Sequence, residues 1–206
     1  TDVRFLENII QRTFEHVAFL CEGDIDVYPA IEFRHPNKGR FIEDVIAISR
    51  KAYQAGIHVL CVHTDADSST DERAIKYKVN PAFDSVRLSN EELCKNLVAI
   101  IPVTMSEAWM LADRELFKDE IGTTLSNAEL GIDRQSENIA DPKFVIEEAI
   151  RIAQNNKPKK SRDIAIRDIY QPLGQKIDLE ILDKLESYRK FKRLVIEAFK
   201  NLNYLH

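Results

Sequence analysis

Two apolar, β-rich runs, residues 57–63 and 97–103, each give way to polar residues, and segments of helical period lie before and between them. Short apolar runs bounded by turn signals read as buried strands. Strands that alternate with helices predict a mostly parallel sheet with helices on its faces. The remaining N-terminal segments are read in the same way. Residues 16–21 are a further apolar run that stops at Glu22-Gly23, which predicts a strand entering a turn. Residues 24–31 have room for one or two helical turns, limited by Pro29. Residues 31–34 alternate as an exposed strand does, and 35–39 form a loop. From 40 to 55, Phe41, Val45, Ile46, Ile48, Ala52 and Tyr53 lie near helical spacing, and Gly56 stops that helix.

Ser69 and Thr70 open a helix that runs to about residue 79, where Asn80-Pro81 closes it. Ser89 with Glu92 three residues later fits a capping box for a short helix over 89–95. Ser106 starts a helix over 107–116 that contains the only Trp, Trp109. Further helices are predicted over 142–155 and within 177–201. The expected order is β, α, β, α, β, α, α, β, α, followed by helices alone. Residues 1–122 would form the α/β core and 123–206 a helical C-terminal extension packed on it, in one compact unit.

Composition excludes several classes. Three cysteines in 206 residues are no disulfide scaffold, and together with the lack of a signal-peptide pattern at residues 1–4 they favour a reducing, cytoplasmic setting. The apolar runs 17–21 and 98–103 are far shorter than the roughly 18 residues of a membrane span. The net charge of −5 speaks against a basic nucleic-acid coat, but it is unevenly spread. Residues 1–156 carry 17 Lys/Arg against 27 Asp/Glu, whereas 157–206 carry 12 against 7. An acidic part that could hold cations thus precedes a basic part that could meet an anion.

The acids fall where chemistry is expected. In open parallel sheets, sites form at the carboxyl ends of the strands. Glu22 follows the first predicted strand, Asp65 and Asp67 the central one, and Glu107 and Asp113 the last. Carboxylates gathered there repel one another unless a cation or protons neutralise them. Mg²⁺ or Mn²⁺ suits such a site, because hard cations take one or two carboxylates and complete their shell with water and substrate phosphate. Asp65 and Asp67, at i and i+2 at the start of a loop, can point to one side. The competing assignment for each is a helix cap. His63, two residues before Asp65, could approach the same site. Lys157, Lys159, Lys160 and Arg162 form a basic cluster that would either contact phosphate or simply be solvated.

Two of these elements resemble motifs of Toprim domains, which occur in topoisomerases, primases and overcoming-lysogenization-defect (OLD-type) nucleases. Glu22-Gly23-Asp24-Ile25-Asp26 is similar to their Glu-Gly-x-x-Asp element, and Thr64-Asp65-Ala66-Asp67 to their Asp-x-Asp element. The stretch Ser106-Glu107-Ala108-Trp109-Met110-Leu111-Ala112-Asp113 resembles the Glu-Ala-Trp-x-Leu-Ala-Asp signature of a Toprim-related family of uncharacterised bacterial proteins (DUF4276-like). Ile177 to Glu180 and Ser187 to Phe191 resemble that family's C-terminal part. The resemblance implies a Toprim-like mostly parallel sheet flanked by helices. It also implies a Mg-dependent enzyme acting on nucleic-acid phosphodiester bonds, such as a small nuclease with a defence or mobile-element role. Glu22 would then be general acid/base or metal ligand, Asp65 and Asp67 would bind the metal, and Asp26 would assist. The signature assigns no role to Glu107 or Asp113. In a single helix the six-residue offset turns these two about 120° apart, which favours Glu107 as the metal ligand and leaves Asp113 structural. Any ATP-driven step would need a separate ATPase partner. Two alternatives stand beside this reading: a non-catalytic module that binds nucleotide, nucleic acid or a partner protein, and another Asp-x-Asp phosphohydrolase. Trp109, Tyr188 and Phe191 are expected in the core.

Overall fold

A computed structural model describes residues 3–34, 40–155 and 164–205. Among the described residues the chain folds as helices α1 (Val3–Ala18) and α2 (Phe41–Gln54), strand β1 (Leu60–His63) and helix α3 (Glu72–Ala74). A π-helical turn (Ile75–Val79), α4 (Asn80–Leu88), β2 (Leu97–Ile100), α5 (Glu107–Met110) and α6 (Arg114–Ile121) follow. The chain ends with a 3₁₀ turn (Ser136–Asn138), α7 (Pro142–Asn155), α8 (Ile166–Lys176), α9 (Leu179–Leu182) and α10 (Glu186–Asn201).

The expected Toprim-like sheet is not there. Among the described residues helix accounts for 56% and strand for 4%, and their one sheet has two strands. β1 and β2 are parallel, with Leu60 opposite Leu97 and His63 opposite Ile100. Period-2 alternation sends their side chains into two different cores. Val98 and Ile100 point into the larger one, with α1, α5 to α8 and α10. Leu60, Leu97, Ala99 and Ile101 point into the smaller one, with α2 and the α3–α4 segment. Both faces of the short sheet are therefore covered, which is why the strands read as near-continuous apolar runs.

The run at 16–21 is the end of helix α1. Phe5, Leu6, Ile9, Thr13 and Val17 are buried along one side of that helix, at spacings of one, three and four residues. Beyond its end, Phe19 is 89% and Leu20 54% exposed, which no buried strand residue would be. Residues 31–34 pair with no strand, and Ile31 is 63% exposed. The loop assigned to 35–39 lies outside the described residues. The helix at 40–55 is present as α2, and its end is chemically explicit. Gly56 takes φ +72, the Gly56 N–H donates to Tyr53 O, and the Ile57 N–H donates to Ala52 O, a Schellman closure.

Asn80-Pro81 does not end a helix. The wider π turn before it, in which the Asn80 N–H bonds to Ile75 O, lets the helix run on to Leu88 despite the donor that Pro81 lacks. The capping box at Ser89 does not nucleate a helix; the Ser89 hydroxyl instead accepts from the Glu91 N–H at 3.1 Å in a turn. The helix predicted over 107–116 breaks in two, because Asp113 leaves helical geometry (φ −101, ψ 89) and caps α6.

The larger core is organised around Trp109, which is fully buried. Its indole N–H donates to Ser187 Oγ at 2.7 Å, and Ser187 Oγ donates to Glu137 Oε1 at 2.6 Å. Tyr188 meets the Trp109 ring edge-on, with centroids 5.5 Å apart, and Phe191 packs beside both. The expected core roles of Trp109, Tyr188 and Phe191 thus hold. No helix among the described residues is long and apolar enough to cross a membrane.

Candidate functional site

Backbone bonds continue the parallel pairing past the strands. The Thr64 N–H donates to Ile100 O at 3.1 Å and the Ala66 N–H to Pro102 O at 3.2 Å. Residues 63–66 therefore stay extended, and His63 and Asp65, two apart, share a side. His63 Nε2 lies 3.3 Å from Asp65 Oδ1. Both atoms are shielded from water, and neither has a hydrogen-bond partner among the described residues. The pair is close enough for strong attraction once the imidazole is protonated, yet it is not aligned as a hydrogen bond.

Two strained residues flank this pair. Asp67 has φ +52 and Thr104 φ +62. The left-handed region is tolerable for Asp but unfavourable for a β-branched residue. At Thr104 the Met105 N–H closes a three-residue turn onto Val103 O at 2.9 Å, the rare and strained γ form. The Thr104 N–H in turn donates to Ser68 O at 3.1 Å, which ties the loop after β2 to the loop after β1. Strain of this kind costs on the order of 1–3 kcal/mol per residue and collects at functional sites. The loop after β1 is anchored further along by Asp71, which is 3% exposed and takes the Lys190 ammonium of α10 on both oxygens, at 2.8 and 2.9 Å.

The other expected site residues are distributed differently. Glu22 is exposed in the bend after α1, so it stands at a helix end and not at a strand tip. Asp26 is exposed in the extended segment beyond it. Asp67 is mostly exposed, with Lys78 Nζ 3.4 Å from its Oδ2. Glu107 is 6% exposed; the Tyr170 hydroxyl donates to its Oε1 at 2.6 Å and the Ser106 hydroxyl to its Oε2 at 3.3 Å. Asp113 accepts from the Leu116 N–H at 3.1 Å as the cap of α6. Lys157, Lys159, Lys160 and Arg162 lie outside the described residues. Among the described residues, no three His, Cys, Asp or Glu side chains group as a metal ion requires. Glu22, Asp65, Asp67 and Glu107 thus do not converge as one cage. Asp65 and Asp67 share a loop and remain the pair that a hard cation could use together with substrate oxygens.

Three contributors escaped the sequence reading. Lys78 and Lys190 reach the loop from 11 and 119 residues away, and no local pattern announces such pairs. Thr104 carries a strain that its residue type does not suggest. A basic residue one helix beyond an Asp-x-Asp was the only available signal. The thiols offer no rival site. Burial, with Cys94 adding to it, pushes the Cys61 thiol up to about 12, away from the thiolate a nucleophile needs.

No family model matches the chain, and no curated protein or solved structure matches it.

Proposed function

We propose that the chain is an enzyme acting on nucleic-acid phosphodiester bonds, with its chemistry at the carboxyl ends of β1 and β2. The reading keeps the chemistry that the motif resemblance implies and not the sheet. The observation that carries it is the His63–Asp65 pair: the side chains are about one-third exposed, but their facing atoms, Nε2 and Oδ1, are shielded from water 3.3 Å apart with no hydrogen bond among the described residues. An unsatisfied buried polar group costs about 1–3 kcal/mol. A substrate that bonds to the pair recovers that cost, and neither side chain has a hydrogen bond to surrender when it arrives.

In this reading His63 accepts the proton of the attacking water. Asp65, 3.3 Å from the imidazole, stabilises its charge once it is protonated. Lys78, beside Asp67, meets a phosphate oxygen of the substrate. Mg²⁺ or Mn²⁺ held by Asp65 and Asp67 supplies neutralisation of phosphate charge when bound. Nothing in this set reads a base edge, so cleavage is expected without sequence preference.

The test incubates the purified chain with single- and double-stranded DNA and RNA in Mg²⁺ or Mn²⁺, beside His63→Gln and Asp65→Asn. Removing a general base lowers the rate by roughly 10²–10⁴-fold. Cleavage that both variants retain at full rate overturns the proposal. The Lys78–Asp67 ion pair favours a second reading, a non-catalytic module that binds nucleic acid or nucleotide, since it supplies Asp67 with a cation from the protein itself. Retention of nucleic acid with no product in either metal supports that reading.

A further inference from the structure

The break at Asp113 opens a cleft of about 520 Å³ between the start of α6, the residues around the 3₁₀ turn, and the α9–α10 connection. None of His63, Asp65, Asp67 or Thr104 lines it, so it is independent of the strand-end site. Its walls combine three chemistries. Leu111, Ile181 and Leu185 give an apolar surface. Asp113 and Asn127 offer acceptors. Asp113 spends Oδ1 on the α6 cap, and Asn127 Oδ1 is shielded from water with no hydrogen-bond partner among the described residues. Because it has no bond to lose, the Asn127 amide can turn toward a donor at little cost. Arg114, whose Nη2 donates to Arg134 O at 2.7 Å, and Lys184 supply positive charge. The two remaining carboxylates are engaged. Glu115 pairs with Lys118 at 2.8 Å, and Glu137 accepts from the backbone at the start of α10 and from Ser187 Oγ.

We propose that this cleft binds a mononucleotide whose base carries an exocyclic amino group. The amino group donates to Asn127 and Asp113, the base lies against Leu111, Ile181 and Leu185, and the phosphate meets Lys184 and Arg114. Size supports a nucleotide over a free amino acid, which has the same three chemistries. Clefts of roughly 300–1,000 Å³ hold ligands of drug size, and an amino acid would leave most of this one empty.

The test measures binding to the intact chain by calorimetry and by thermal shift, using AMP, GMP, CMP, IMP, adenosine, inorganic phosphate and leucine. AMP, which keeps the amino group, is expected to bind at least about tenfold more tightly than IMP, which lacks it, because loss of the donor leaves a buried acceptor unpaired. Adenosine and phosphate alone are each expected to bind at least about tenfold more weakly than AMP, since each keeps only part of the contact set. Asn127→Ala should erase the AMP-over-IMP preference. Lys184→Ala should weaken AMP without changing adenosine. Equal binding of AMP and IMP, leucine binding more tightly than AMP, or no binding of any nucleotide to the unmodified chain overturns the proposal. AMP binding that neither substitution alters places the ligand elsewhere and overturns it as well.

Discussion

At Gly174 one helix backbone lies close against another, and adding one methyl group there tests the packing of the larger core. It lies in α8, against α1. A Cβ built on it would stand 2.7 Å from the Phe5 carbonyl oxygen and 3.1 Å from both Phe5 Cα and Asn8 Cβ. Ordinary carbon–oxygen contacts between backbones are about 3.3–3.6 Å, so α8 would have to retreat by roughly 0.6 Å. The obstructing atoms are mostly backbone, and Phe5 is fully buried, so they cannot swing aside. Two effects oppose each other in Gly174→Ala. The helix gains about 0.8–1 kcal/mol of intrinsic propensity. Overpacking costs about 1–3 kcal/mol, and it wins because retreat would also strain the bond from Arg12 Nη1 to Gly174 O at 3.1 Å. A net loss of about 1–2 kcal/mol is expected, or roughly 2–8 °C in Tm for a chain of this size. Thermal and urea melts followed by circular dichroism measure it. Gln171→Ala, exposed in the same helix, serves as the control and should change little. A Gly174→Ala protein as stable as the parent, or more stable, would refute the close approach of α1 and α8.

Further expectations follow from buried polar groups and backbone strain. Burial, with the Asp183 charge adding to it and the Thr13 hydroxyl opposing it, raises the Tyr188 phenol to about 12. Its folded value lies above the unfolded value of about 10, so its stabilising share is intact below pH 10 and is lost as pH rises from about 10 through 12. Absorbance at 295 nm should show a tyrosine phase that comes late or only with unfolding, and Tyr188→Phe should diminish that phase; ionisation of all six together near pH 10 would contradict the burial. Lys190→Met leaves Asp71 charged, buried and unpaired, and should cost about 2–3 kcal/mol in urea melts, somewhat below the usual range because Lys190 is partly exposed. Asp71→Asn added to Lys190→Met should restore most of that loss. Thr104→Asn, which accepts a positive φ more easily, should raise stability by about 0.5–1 kcal/mol; a loss instead would mean that the Thr104 side chain makes a contact that outweighs its strain.

Elements whose cause is local were legible. The periodicity of α2 and its closure at Gly56 are written in adjacent residues, as are α7 and the apolar character of β1 and β2. The run at 16–21 misled because six residues cannot separate a buried strand from the end of a helix. The decisive residues, Phe5, Leu6, Ile9 and Thr13, lie upstream, and α1 becomes visible only when they are counted with Val17. That one misreading moved Glu22 from a strand tip to an exposed bend. The split of residues 107–116 turned on whether Asp113 would continue a helix or cap the next one, and a side chain able to do either leaves the choice to the surrounding packing.

By itself the sequence determined where apolar surface must be hidden, where Gly56 ends a helix, and that Asp65 would follow a buried strand two residues after His63. Only the tertiary structure decided that the sheet has two strands among the described residues and that Glu107 bonds to Tyr170. It alone decided that Lys190 neutralises Asp71 and that Asp113 opens a cleft beside Asn127 and Lys184. The physical reason is range. Backbone propensity and side-chain period act over a few residues, whereas the partner of a buried charge, 63 residues away for Glu107 and 119 for Asp71, is chosen by how the helices pack.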